Sequence, residues 1–111
     1  SYPGLPSSPE HAKAMKYLEG GLSSGVVSFS MKGGRESAMR FMDSLKMAAI
    51  VVHVADARTC VLNPASTTHR QLSDEMLREA GIDPGFVRLS VGIEDIDDIL
   101  ADIKEALDRC L

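Results

Sequence analysis

Hydrophobic and polar positions change period several times along the chain, and each change marks an element. Ser8, Pro9 and Glu10 have the N-cap, first-turn and dipole preferences of a helix start. Ala12, Met15 and Leu18 follow as an apolar stripe that stops at Gly20 and Gly21. Val27, Phe29 and Met31 then alternate with Ser28 and Ser30, the period of two expected of a half-buried strand. Gly33 and Gly34 turn the chain into a second helix, whose Ala38, Phe41, Met42 and Leu45 fall on one face. Ile50 to Val54 is apolar except for His53, which predicts a short strand covered on both faces and central in its sheet.

Thr59 to Leu62 is a shorter β-like piece ended by Asn63 and Pro64, since the residue before proline is pushed away from helical geometry. A polar loop, Ala65 to His69, leads to Ser73 as the cap of a third helix, which Gly81, Ile82 and Pro84 bring to a stop. From Phe86 to Ile93 the chain alternates again, with Val87, Leu89 and Val91 on one face and Arg88 and Ser90 on the other. A last helix starts near Asp95, shows Ile96, Ile99, Leu100, Ile103 and Leu107, and is expected to pack on the sheet. Glu94, Asp95, Asp97, Asp98 and Asp102 read as complements of its dipole on a solvated face. Four helices and four short strands in mixed order predict an α+β fold, a two-layer sandwich of a short, mostly antiparallel sheet with packed helices.

Composition narrows the function classes. At 111 residues the chain has the length of one domain. Its net charge of -4 and pI near 5.3 argue against nucleic-acid and anionic-membrane partners. No stretch approaches the roughly 20 apolar residues of a membrane span, and Ser1 to Gly4 lacks the basic and apolar regions of an export signal. Cys60 and Cys110 sit among aliphatic residues, Val61 and Leu62 beside one, Leu107 and Leu111 beside the other, where a free thiol behaves as a small hydrophobe. A reducing, cytoplasmic location is the expectation.

Candidate chemistry is sparse. The phosphate-cradling glycine motifs, His-Glu-x-x-His and paired-cysteine metal sites are absent, and His11, His53 and His69 have no ligand spacing. Gly33 and Gly34 precede a helix but are explained by the turn. Arg88 stands out, because a strand arginine presents a planar fork suited to a carboxylate. Its position alone allows a structural Asp or Glu partner equally well. His53 is similarly open between a satisfied core histidine and a ligand contact.

Taken in order, Tyr2-Pro3-Gly4-Leu5, Gly33-Gly34, Asp56-Ala57-Arg58-Thr59, Pro64-Ala65-Ser66-Thr67-Thr68-His69 and Arg88-Leu89-Ser90-Val91-Gly92-Ile93-Glu94-Asp95 form a specific set. Across essentially all 111 residues the chain resembles the C-terminal domain of the pyridoxal-phosphate-dependent enzymes of cysteine and methionine metabolism. The later segments resemble the O-acetylhomoserine sulfhydrylase branch. Cystathionine γ-synthase or γ-lyase relatives share Gly-Gly-x-Glu-Ser but more often have Met-Thr-His at the later place. A stand-alone small-ligand or interaction module is the alternative of another class.

The resemblance implies the small C-terminal domain of a fold type I enzyme and a γ-replacement, in which acetate leaves the γ-carbon of O-acetylhomoserine and sulfide adds to give homocysteine. Pyridoxal phosphate supplies the electron sink, and the protein supplies orientation and electrostatics. By the same resemblance Arg88 grips the substrate α-carboxylate, with His53 and Thr68 near it. Three residues depart from the family pattern: His53 stands for Ser or Asn, Ala55 for Gly, and Asn63 for His. None of Lys13, Lys16, Lys32, Lys46 or Lys104 has the Ser-x-Thr-Lys context of the Schiff-base lysine. The resemblance therefore implies a partner N-terminal cofactor domain in the same enzyme, a homo-oligomer, and no activity or cofactor binding by residues 1–111 alone.

Overall fold

Most of the predicted segments are realised as elements in the computed structural model, which describes residues 1–110; Leu111 lies outside the described residues. The elements are α1 (His11–Tyr17), β1 (Val26–Ser30), α2 (Gly34–Ser44), β2 (Ala49–Ile50), β3 (Cys60–Leu62), α3 (Asp74–Glu79), β4 (Phe86–Ser90) and α4 (Ile96–Asp108), with one 3-10 turn at Glu19–Gly21. The sheet order is β1-β4-β3-β2. β4 runs antiparallel to both β1 and β3, while β2 and β3 are parallel.

The register explains the core. Val27 and Val61 both oppose Leu89, and Phe29 opposes Val87, so these side chains share one face of the sheet. Against that face lie Ala38, Phe41 and Met42 of α2 and Ala106 of α4, all buried. The rings of Phe29 and Phe41 meet edge to face at 5.6 Å between centroids, the geometry that aromatic quadrupoles favour. The fold is the expected α+β sandwich, with α2 and α4 together on one side.

Local chemistry sets the helix ends. Ser73 Oγ accepts from the Met76 amide at 3.3 Å, and Asp95 accepts from the Asp97 amide at 2.9 Å. Gly81, at φ +77, closes α3 as Ile82 N–H donates to the Leu77 carbonyl at 2.8 Å. Ser73→Ala should lower stability by about 1 kcal/mol, read as a lower urea midpoint at unchanged slope.

Several expectations are corrected. The run from Ile50 to Val54 is neither central nor a full strand: β2 is a two-residue edge strand, and Val52 and Val54 are more than half exposed. Apolar side chains alone do not distinguish a doubly covered strand from an uncovered one, and only Ala49 and Ile50 find a partner strand. α1 begins at His11, with Glu10 in the cap position, because Ser8 closes a turn instead, its Oγ accepting from the Glu10 amide. The strand expected from Phe86 to Ile93 leaves the ladder after Ser90.

The acidic residues of α4 are not all solvated. Asp102 is buried and accepts three backbone N–H groups, from Lys46 at 2.7 Å, Met47 at 3.0 Å and Ala48 at 3.1 Å. Desolvation opposes its ionisation, but the three donors outweigh it and hold the carboxyl below its ordinary range. Of the two free thiols, Cys60 is buried and Cys110 half-buried. Burial pushes the Cys60 thiol pKa up.

Candidate functional site

β4 has a core face and an opposite face, and the sequence-predicted Arg88 lies on the second. Alternation puts Arg88 and Ser90 there, with Arg88 opposite Ser28 of β1 and Leu62 of β3. The guanidinium Nη2 donates to the Val52 carbonyl at 2.8 Å and reaches the His53 carbonyl at 3.5 Å, whereas its buried Nε has no partner. Among the described residues no carboxylate lies within 4.0 Å of the guanidinium, so the structural ion pair that its position allowed is not formed there. Arg88 walls a hollow of about 490 Å³, together with Val52, Leu62, Pro64, Thr68, His69 and Phe86.

Thr68 reaches this hollow through a loop that buried polar groups hold down. Asn63 is fully buried, and its Nδ2 donates to the Pro84 carbonyl at 2.9 Å and the Phe86 carbonyl at 2.7 Å. Its Oδ1 accepts from the Ser66 amide at 2.8 Å, and its carbonyl from Thr67 Oγ1 at 2.8 Å. One residue thus ties the Thr68 loop to the start of β4 with its amide satisfied on both ends. Arg35 of α2 fastens the same loop from outside, donating to the Ala65 carbonyl at 2.7 Å, the Leu72 carbonyl at 2.9 Å and Asp74 at 2.9 Å. Thr68 itself is exposed, its Oγ1 2.8 Å from His69 Nδ1.

His53 is placed differently. Its ring is exposed and turned to Asp56, with Nδ1 3.5 Å from the carboxylate, and it does not line the hollow. Only its backbone carbonyl touches Arg88. Asp56 accepts from the Arg58 amide at 3.0 Å, and this bond, helped by the Arg58 guanidinium, holds its pKa near 2.

Glu94, read from the sequence as part of a solvated acidic face, instead helps to fix the neighbouring segment. Glu94 binds Thr59 twice, through its amide at 2.8 Å and its hydroxyl at 2.9 Å. The Thr59 amide is the main reason the Glu94 carboxyl lies below its ordinary range. Ile93 N–H donates to the Ala57 carbonyl at 2.9 Å, and Ser90 Oγ accepts from the Ala55 amide at 3.3 Å.

A larger hollow, about 1120 Å³, lies beside Gly33, Gly34 and Arg35, but its arginine is already engaged by Asp74 and two carbonyls. The residues present also do not fit pyridoxal phosphate, which needs an amine for its Schiff base beside the substrate. All five lysines are exposed: Lys13, Lys46 and Lys104 pair with Glu10, Glu105 and Asp108, Lys32 lines the larger hollow, and none lines the hollow at Arg88.

Comparison with known proteins agrees with this architecture. The model of the family "Cys/Met metabolism PLP-dependent enzyme" matches residues 1–108. The O-acetyl-L-homoserine sulfhydrylase of Leptospira meyeri is 49% identical over 107 residues, covering 96% of this chain and 24% of that protein. The L-methionine gamma-lyase of Treponema denticola is 41% identical over 109 residues, covering 98% and 27%. The crystal structure of a putative O-acetylhomoserine (thiol)-lyase from Campylobacter jejuni, which contains N'-pyridoxyl-lysine-5'-monophosphate, superposes with a TM-score of 0.84. It is 39% identical, over 96% of this chain and 25% of that one. The chain spans about a quarter of the length of these relatives.

Proposed function

The chain belongs to the Cys/Met metabolism PLP-dependent enzyme family, and on that premise we propose that it is the substrate-carboxylate-binding, C-terminal domain of an O-acetylhomoserine sulfhydrylase. The carrying observation is Arg88: a guanidinium at the wall of a hollow, with a buried Nε that nothing satisfies and no carboxylate partner among the described residues. A guanidinium at that wall with no carboxylate of its own is suited to an α-carboxylate, which its planar fork would meet with a charge-assisted bond. Thr68, on the same hollow, adds a hydroxyl, and His53 contributes through its carbonyl. Sulfhydrylase is favoured over γ-lyase by the 49% identity to the Leptospira relative against 41% to the methionine lyase.

In this reading the Schiff-base lysine and the donors to the cofactor phosphate come from an N-terminal cofactor domain of the same enzyme, which works as a homo-oligomer. Pyridoxal phosphate supplies the electron sink there. This chain's task is to hold the amino acid by its carboxylate so that the γ-carbon faces the incoming sulfide. The full-length protein, loaded with pyridoxal phosphate, should convert O-acetyl-L-homoserine and sulfide to homocysteine and acetate in preference to releasing methanethiol from L-methionine. Arg88→Ala should raise the KM for the amino acid about ten- to a hundredfold, as loss of a charge-assisted bond implies, and leave the KM for sulfide near its original value. An unchanged amino-acid KM would remove the assignment.

A further inference from the structure

Arg88 owes its present orientation to two carbonyls on a segment that is itself poorly buried. Val52, His53, Val54 and Ala55 are all exposed, and none belongs to a strand. Something must nevertheless keep the Val52 carbonyl 2.8 Å from the guanidinium. The nearest anchor is Ser90, two residues along β4 on the same face, whose side chain is buried and whose Oγ accepts from the Ala55 amide.

Between the two anchors the backbone bends through Ala55, at φ +57, the one non-glycine residue with positive φ among those described. A left-handed alanine is disfavoured by the clash of its Cβ with the following carbonyl, so it persists only where the surroundings hold it. Here the hold is the Ser90 bond on one side and the Ile93-to-Ala57 bond on the other.

We infer that Ser90 and Ala55 are positioning residues for Arg88: the Ser90 hydroxyl pins the left-handed bend at Ala55, and the bend presents the Val52 and His53 carbonyls that aim the guanidinium at a carboxylate. Neither residue touches the substrate. The inference rests on the reading of Arg88 as the carboxylate anchor, and it assigns specificity to a backbone conformation rather than to the ring of His53.

The test uses the full-length enzyme loaded with pyridoxal phosphate and O-acetyl-L-homoserine as the probe. Ser90→Ala should raise the KM for the amino acid about tenfold while kcat and the KM for sulfide change less than about twofold, the pattern of a misaimed binding group rather than a damaged fold. Ser90→Thr, which keeps the hydroxyl, should restore most of the affinity. Ala55→Val, whose β-branch does not tolerate positive φ, should act like Ser90→Ala, whereas Ala55→Gly should not. In an Arg88→Ala background Ser90→Ala should add less than about twofold, because coupled residues are not additive.

Should Ser90→Ala unfold the enzyme, the Ala55 pair carries the test alone. The inference is overturned if Arg88→Ala raises the KM while Ser90→Ala and Ala55→Val do not, or if the Ser90 effect is undiminished in the Arg88→Ala background. An unchanged KM in Arg88→Ala would instead overturn the underlying reading of Arg88.

Discussion

Gly92→Ala should destabilise the protein by about 3 kcal/mol or more, because the new Cβ meets backbone that has nowhere to go. It would stand 2.4 Å from the Arg58 carbonyl carbon, 2.4 Å from the Thr59 nitrogen and 2.5 Å from the Ala57 oxygen. Relief requires residues 57–59 to move off the end of β4. That movement breaks the Gly92-to-Thr59 bond of 3.0 Å and the Ile93-to-Ala57 bond of 2.9 Å, and strains the grip of Glu94 on Thr59. Gly25→Ala is the natural control, since its Cβ would meet only the Val91 oxygen at an ordinary 3.9 Å. Equilibrium urea unfolding of the two variants checks the contrast. Equal midpoints for Gly92→Ala and the parent protein would show that the segment yields freely.

The second large effect is expected at Asp102. Asp102→Ala leaves the amides of Lys46, Met47 and Ala48 without their acceptor where α2 hands over to β2, and should lower stability by about 3 kcal/mol. Those amides form a concave donor cluster, and the carboxylate on α4 is the only side chain described that fills it, so the change also loosens α4 from the turn after α2. The carboxyl has a folded pKa below its ordinary 3.8. As pH falls, the unfolded chain therefore takes up this proton first, so stability is fully present above about 3.8 and is lost as pH drops through the lower folded value. The parent protein should show this acid loss in urea midpoints between neutral and acidic pH, and Asp102→Ala should show less of it. Parallel pH profiles for the two proteins would count against the carboxylate's role.

How far the chain could be read without coordinates depended on the range of the interaction. Val27 with Phe29, Ala38 with Phe41 and Met42, and Val87 with Leu89 repeat at the spacing of their own element, so their core face was legible from local pattern. The caps at Ser73 and Asp95 were legible for the same reason. Asp102 and Glu94 were misread because their partners, Lys46 to Ala48 and Thr59, are distant in the chain, and a carboxylate near a helix start looks the same whether it serves the dipole or a remote amide.

At the site, the pattern put Arg88 on the face away from the core, and the structure brings Thr68 to the same hollow. It does not bring the His53 ring there: β2 ends at Ile50, so the alternation that the apolar run predicted does not govern His53, and its ring turns to Asp56. Asn63, which looked like a departure from the family pattern, is the fastening of the Thr68 loop.

The place of β4 in the sheet bears on how the chain comes to be folded at all. β1 and β3 each hydrogen-bond to β4 and not to one another, and Val26 must meet Ser90 across most of the sequence. During synthesis β1 and α2 leave the ribosome with their apolar faces open, β3 has only the two-residue β2 to pair with, and only the emergence of residues 86–90 supplies the shared template. Such non-local closure is slow relative to helix formation. The window before β4 appears is therefore when Val27, Phe29 and Val61 are most open to wrong partners, and a nascent chain stalled short of Phe86 is the species that a chaperone would hold.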